Sequence, residues 1–334
     1  MRWGGDRRVG AAGRYNARID AAAAAALARR LPTMRPLTLL MFLLLAGCAS
    51  QPAPVSVVGP AAEFGAPDKP ATDSPRRPRL ALVLGGGAAR GFAHIGVIKI
   101  LESAGVVPDI IVGTSAGAVV GALYASGTTG FELQKLALAM DDSTMSDWSL
   151  PDRGVIRGEA LQNFVNRALS NRPIEALART LGVVATDLQS GEMIVFRRGN
   201  TGLAVRASSS VPGIFQPARI GEREYVDGGL VSPVPVKVAR DMGAEVVIAV
   251  DISTRPLQAS VATTIEVLLQ TFNIMGAALA QTELGRADVV IRPAIGHING
   301  TDFQSKHLAI LEGERAAAAQ LDQVRVALAR AMPR

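Results

Sequence analysis

Asp109-Ile110-Ile111-Val112-Gly113-Thr114-Ser115-Ala116-Gly117-Ala118-Val119-Val120 is the stretch that decides how this chain folds. A short run of β-branched residues ends in Gly-Thr-Ser-Ala-Gly, and small aliphatic residues continue to about Ser126. That pattern predicts a buried strand, a very tight turn and a helix. A Gly-x-Ser-x-Gly turn between strand and helix is a nucleophile elbow. Gly113 and Gly117 have no Cβ, so the two elements can pass close together and hold up the Ser115 hydroxyl. The helix N-terminus behind the serine adds positive potential, which favours an oxyanion beside it.

Upstream, residues 79–84 are an apolar run that ends in Gly85-Gly86-Gly87-Ala88-Ala89-Arg90-Gly91. A helical pattern follows through Ile95, Ile98, Ile100 and Leu101 and closes at Gly105. A phosphate-binding P-loop would end Gly-Lys-Ser/Thr, and this loop ends Arg-Gly-Phe. A dinucleotide loop needs Gly-x-Gly-x-x-Gly, and neither starting glycine gives that spacing. The reading left is an oxyanion hole, with backbone N–H groups of Gly86, Gly87 and Ala88 aimed at a developing negative charge. Arg90 adds positive potential behind that loop or serves as an ion-pair partner that fixes it.

Downstream, the pattern is helical between about 131 and 169, broken by a polar stretch at 141–158 that suits a flap or a surface loop. Strand signals recur at 181–186, 193–196, 245–250 and 287–291. Helical patterns cover 204–210, 233–242, 261–284 and 305–331. No internal repeat is present. Strands alternating with helices predict an α/β fold, a three-layer α/β/α sandwich with a mostly parallel central sheet.

Composition narrows the function. Of 35 basic and 29 acidic residues, eight and two fall within residues 1–47, which leaves 27 of each sign in the remainder. The body therefore has no net charge with which to attract a nucleic-acid backbone. Cys48 is the one cysteine, which excludes an internal disulfide and a thiolate metal cluster.

Ser115 needs a base. His94 lies within the first helical pattern, His297 in a glycine-flanked loop and His307 at the start of the last helix. Ser115, Asp227 and His297 or His307 would satisfy the α/β-hydrolase order of serine, acid and histidine. No histidine sits in a recognisable motif. Asp227 does, in Asp227-Gly228-Gly229.

The glycine loop, the elbow and the Asp-Gly-Gly, in that order, resemble the patatin-like phospholipases, most closely a bacterial branch similar to the neuropathy target esterase catalytic domain. The likeness extends to residues 207–217 and 242–251 and spans about 80–331. It implies a Ser115–Asp227 dyad, hydrolysis of phospholipid or lysophospholipid acyl esters, and no cofactor or metal. Gly113, Gly117, Gly228, Gly229 and Arg90 would support the site. Ala88 stands where the family often has glycine; it can still donate its N–H if its backbone angles are ordinary. Burial of Asp227 beside Val226 would raise its proton affinity and make it a competent base. A different-class alternative is a non-catalytic, membrane-tethered protein that uses the same pocket to hold lipid.

Residues 37–46 form an apolar run too short to span a bilayer and of signal-peptide length. The run ends Leu45-Ala46-Gly47-Cys48, which resembles a bacterial lipobox and implies lipidation of Cys48. Ala49 implies outer-membrane sorting, facing the periplasm. Translation could begin at Met1 or Met34. Residues 49–79, rich in Pro and Ala, read as a tether. The organisation expected is a leader at 1–47, a lipidated cysteine and tether at 48–79, and an acyl hydrolase domain at 80–331.

Overall fold

The computed structural model describes residues 77–140, 156–253 and 263–332. The leader, Cys48, most of the tether and residues 141–155 of the polar break lie outside these.

The chain enters through β1 (Leu80–Leu84), crosses the glycine loop into α1 (Phe92–Ser103), and returns through β2 (Ile110–Thr114) into α2 (Ala116–Ala125). Helices α3 (Gly130–Ala139) and α4 (Glu159–Ala168) precede β3 (Thr180–Asp187), its hairpin partner β4 (Met193–Phe196) and α5 (Thr201–Ser208). Strands β5 (Ala218–Ile220) and β6 (Arg223–Asp227) come next, then α6 (Val236–Asp241) and β7 (Val246–Val250). The long α7 (Thr264–Leu284), β8 (Val289–Ile291) and α8 (Lys306–Ala331) complete it.

The sheet runs β5-β6-β3-β2-β1-β7-β8, with β4 paired to β3. Strands β3, β2, β1, β7 and β8 are mutually parallel. Every residue of β1, β2 and β7 is buried, because helices cover both faces. Leu80, Leu82 and Leu84 join a core with α1, α2 and α8. Ala81 and Val83 face the other way, toward Val236 and Val238 of α6 and Ala280 and Leu284 of α7. The three-layer α/β/α sandwich expected from the sequence is the fold.

One departure from parallel pairing positions the site. Residues 180–184 of β3 pair with β2, and residues 185–187 pair antiparallel with β6. Strand β4 pairs with residues 183–186, overlapping both, so it occupies the opposite edge of β3. Strands β2 and β6 therefore share one edge, and the two strands end against each other there. Thr114 lies opposite Val184 and Asp227 opposite Ala185. The last residue of β6 is thus delivered beside the turn that leaves β2.

Candidate active site

The elbow forms as predicted. Ser115 follows the last residue of β2 and has φ 53° and ψ −122°, a left-handed conformation that costs an L-residue about 1–3 kcal/mol. A Cβ on Gly117 would lie 2.0 Å from the Leu84 carbonyl oxygen, and one on Gly113 would lie 2.5 Å from that of Gly117. Both positions admit only glycine. The Ser115 N–H donates to the Ser208 hydroxyl at 2.8 Å, so α5 pins the strained turn. Thr114 is pinned as well, its hydroxyl donating to the Ser232 carbonyl at 2.8 Å. The first N–H groups of α2 have no acceptor within the helix and face the serine end.

The glycine loop departs from expectation in two ways. Gly86 is not an available donor: its N–H is taken by the Pro233 carbonyl at 3.0 Å. It sits instead against the nucleophile, since a Cβ there would lie 3.4 Å from the Ser115 Cβ. Ala88 does not have ordinary backbone angles. Its φ of 51° is left-handed, a conformation that costs about 1–2 kcal/mol with a Cβ present. The N–H groups of Gly87 and Ala88 make no hydrogen bond among the described residues, whereas that of Ala89 goes to Gly300.

Arg90 explains how the loop stays in place. Its Nε and its backbone N–H both donate to the Gly87 carbonyl, at 3.1 and 3.2 Å. The Ala88 N–H belongs to the same planar peptide and points the opposite way. Arg90 thus acts on the loop through a carbonyl. Burial lowers its pKa to about 10, against the attraction of Asp251. A Cβ on Gly87 would lie 2.7 Å from the Ile252 Cδ1, so a side chain there would have to displace Ile252 at the end of β7.

Asp227 is 1% exposed. Its backbone is clamped from both sides: its N–H donates to the Ser210 carbonyl, and the Thr186 hydroxyl donates to its carbonyl at 2.8 Å. Oδ1 accepts the Gly229 N–H at 2.7 Å, whereas Oδ2 is buried with no hydrogen-bond partner among the described residues. Burial raises the pKa of the carboxyl to about 6; the Ser115 side chain and the Gly229 N–H pull it back toward the ionised form. The Ser115 hydroxyl is thus near enough to stabilise the carboxylate without a hydrogen bond of ordinary geometry to Oδ2. A Cβ on Gly228 would lie 2.3 Å from the Val184 carbonyl oxygen, so the turn after Asp227 is pressed against β3.

The histidines are elsewhere. His94 is fully buried, and its Nε2–H donates to the Gly85 carbonyl at 2.8 Å. Burial lowers its pKa to about 4, so it is neutral and braces the base of the glycine loop. His297 and His307 are exposed, and no hydrogen bond joins either to Ser115 or Asp227. No group of His, Cys, Asp or Glu among the described residues could hold a metal ion. A surface depression lined by Glu245, Asp288 and Arg330 lies at the other end of the sheet, where β7 begins.

Ser208, Pro233 and Ile252 contribute to this geometry although no sequence motif assigns them a role. Ser208 belongs to the serine run at 208–210 that precedes Val-Pro-Gly, a feature legible in sequence only as part of the family likeness.

Comparison with known proteins agrees with this architecture. The patatin-like phospholipase family model matches residues 82–240. An uncharacterized NTE family protein of Mycobacterium tuberculosis is 31% identical over 276 residues, covering 72% of this chain and 46% of that protein. Patatin-like phospholipase domain-containing protein 6 of Mus musculus is 36% identical over 184 residues, covering 53% and 14%. The chain therefore spans less than half the length of these curated relatives. The crystal structure of VipD from Legionella pneumophila shares the fold at a TM-score of 0.50 and 15% identity, over 75% of this chain and 67% of that one. Residues 82–240 are a patatin-like phospholipase family domain.

Proposed function

We propose that this chain is a serine acyl-ester hydrolase acting on phospholipid or lysophospholipid through a Ser115–Asp227 dyad. The observation that carries the reading is the buried Asp227 carboxylate, with Oδ2 unpartnered among the described residues and its charge stabilised by the Ser115 side chain together with the Gly229 N–H. An ordinary carboxylate is a weak base toward a hydroxyl. One whose pKa is raised toward neutrality is a better base and still largely ionised at pH 7.

In the first step Asp227 accepts the Ser115 proton as Oγ bonds to the ester carbonyl carbon. The carbonyl oxygen becomes an oxyanion, held by the Gly87 and Ala88 N–H groups. Collapse of this intermediate breaks the bond to the leaving alcohol, which takes the proton from Asp227. Water then attacks the acyl-serine, passing a proton to Asp227, and the fatty acid leaves as Ser115 recovers its hydrogen.

The Ser-Asp-His alternative has less support, because His94 is committed to Gly85 and the other two histidines are exposed. Cys48 lipidation, with the domain held at the periplasmic face of an outer membrane, accompanies the proposal and rests on the lipobox-like sequence alone. The test is hydrolysis of a lipid panel with Ser115→Ala as control, joined to labelling by a fluorophosphonate probe. Ester turnover and a label that both vanish in Ser115→Ala support the reading. A folded wild-type chain that binds lipid but neither turns over nor takes the label is a lipid-binding protein instead.

A further inference from the structure

Helix α7 presents an apolar face to solvent beside the site. Val267, Leu268, Ile274, Met275 and Leu279 are 37–56% exposed. With the exposed Thr271 and Ala278 they fall at positions i, i+1, i+4, i+7, i+8, i+11 and i+12, one continuous stripe along the helix. Residues 267–282 contain no charged side chain. A continuous aliphatic stripe left open to solvent marks an interaction site, whereas apolar side chains exposed singly do not.

The flank of α7 next to this stripe, one helical turn from Leu268 and Leu279, reaches both halves of the machinery. The Phe272 ring packs where a Cβ on Gly229 would lie, 2.9 Å from its Cζ, and Gly229 holds Asp227. Glu283, near the other end of the helix, accepts from the Ser232 hydroxyl at 2.6 Å and the Val234 N–H at 3.3 Å. The segment it holds also accepts the Gly86 N–H and the Thr114 hydroxyl.

We infer that the outer face of α7 is a lipid-docking surface that seats the active site on a membrane or micelle. The inference rests on the hydrolase reading for its substrate class. Three features choose lipid over a second protein. The stripe is aliphatic and lacks the Trp, Tyr and Arg anchors that dominate protein interfaces. It is continuous, through Phe272, with a site whose proposed substrate is itself a lipid. No described helix is long and apolar enough to cross a membrane, so α7 would lie on the surface rather than span it. The uncharged stripe fits a zwitterionic surface as well as an anionic one. Chain geometry permits the contact. The 28 residues between Cys48 and Arg77 reach at most about 90–100 Å when extended, enough to pass a domain roughly 45 Å across.

The test uses the full chain carrying Cys48→Ser, so that no lipid anchor contributes. Met275→Cys labelled with an environment-sensitive dye should shift its emission to the blue on phosphatidylcholine vesicles, with little change between low and high salt. Leu268→Asp combined with Met275→Asp should lower hydrolysis of vesicle phospholipid by about tenfold or more. Hydrolysis of a monomeric short-chain ester should stay within about twofold. Absence of the emission shift overturns the proposal. So does equal loss on both substrates in a folded variant, which would make α7 a brace only. Burial of the dye by self-association without vesicles, read by light scattering, also overturns it. If the wild type hydrolyses neither substrate, the hydrolase reading fails while the emission shift still decides docking.

Discussion

Replacing Asp227 by asparagine should stabilise this protein at neutral pH while removing its activity. The two side chains have the same shape, and the asparagine Oδ1 can keep the Gly229 N–H. What changes is the charge. The carboxyl pKa is raised from 3.8 to about 6 by burial, so the folded state binds this proton more tightly than the unfolded chain does. Stability from this group is fully present below pH 3.8 and is lost as pH rises through 6. Keeping Asp227 ionised at pH 7 therefore costs about 3 kcal/mol, an order-of-magnitude figure that follows from the shift of about two units. The Oδ2 atom has no hydrogen bond among the described residues to offset that cost. Urea unfolding of wild type and variant at matched pH measures the difference. The variant should be more stable by about 3 kcal/mol at pH 7 and by less than about 1 kcal/mol at pH 4. A variant of equal or lower stability at pH 7, or a gain of the same size at both pH values, would mean that Asp227 is not held ionised against its burial. Such a trade of stability for function is what a catalytic carboxylate predicts and a structural one does not.

Other outcomes follow from the same geometry. If Asp227 is the base with a pKa of about 6, kcat/KM at pH 5 should be near one tenth of its value at pH 7; a level profile would remove Asp227 from that role. Gly87→Val would drive a side chain into Ile252 and displace a proposed donor, so turnover should fall about 100-fold with little change in substrate affinity. Unchanged turnover in that folded variant would take the loop out of the mechanism. Cys48→Ser should abolish lipidation and membrane fractionation; wild-type protein recovered soluble with an unmodified thiol would refute the anchor.

What the sequence revealed was local, and what it hid was long-range. Strands β1, β2 and β7 are unbroken apolar runs, and the Gly113 and Gly117 spacing leaves no other turn. Element edges moved where a cap decides them. Helix α5 begins at Thr201 rather than 204 because the Asn200 side chain accepts the Leu203 N–H. Helix α6 begins only after Pro235, not at Pro233. Strand β5 escaped notice because three residues are too few to show a period of two. The Gly86 amide looked like an oxyanion donor because a sequence shows that an N–H exists, not that Pro233 has taken it. The left-handed Ala88 was hidden for the same reason: nothing adjacent in sequence demands it. The insertion of β6 on the edge vacated by β2 was also invisible, although the acid it delivers was legible from Asp227-Gly228-Gly229.

In the proposed mechanism Ser115 and Asp227 are the two side chains that make the bond and move the proton. The direct measurement is kcat/KM for ester hydrolysis in Ser115→Ala, Asp227→Asn, His297→Ala and His307→Ala, each checked for folding. The first two should show no measurable turnover above background. The two histidine variants should stay within about tenfold of wild type, a barrier change near 1.4 kcal/mol. If either histidine variant is as inactive as Ser115→Ala, or Asp227→Asn keeps most of its activity, the dyad account is wrong.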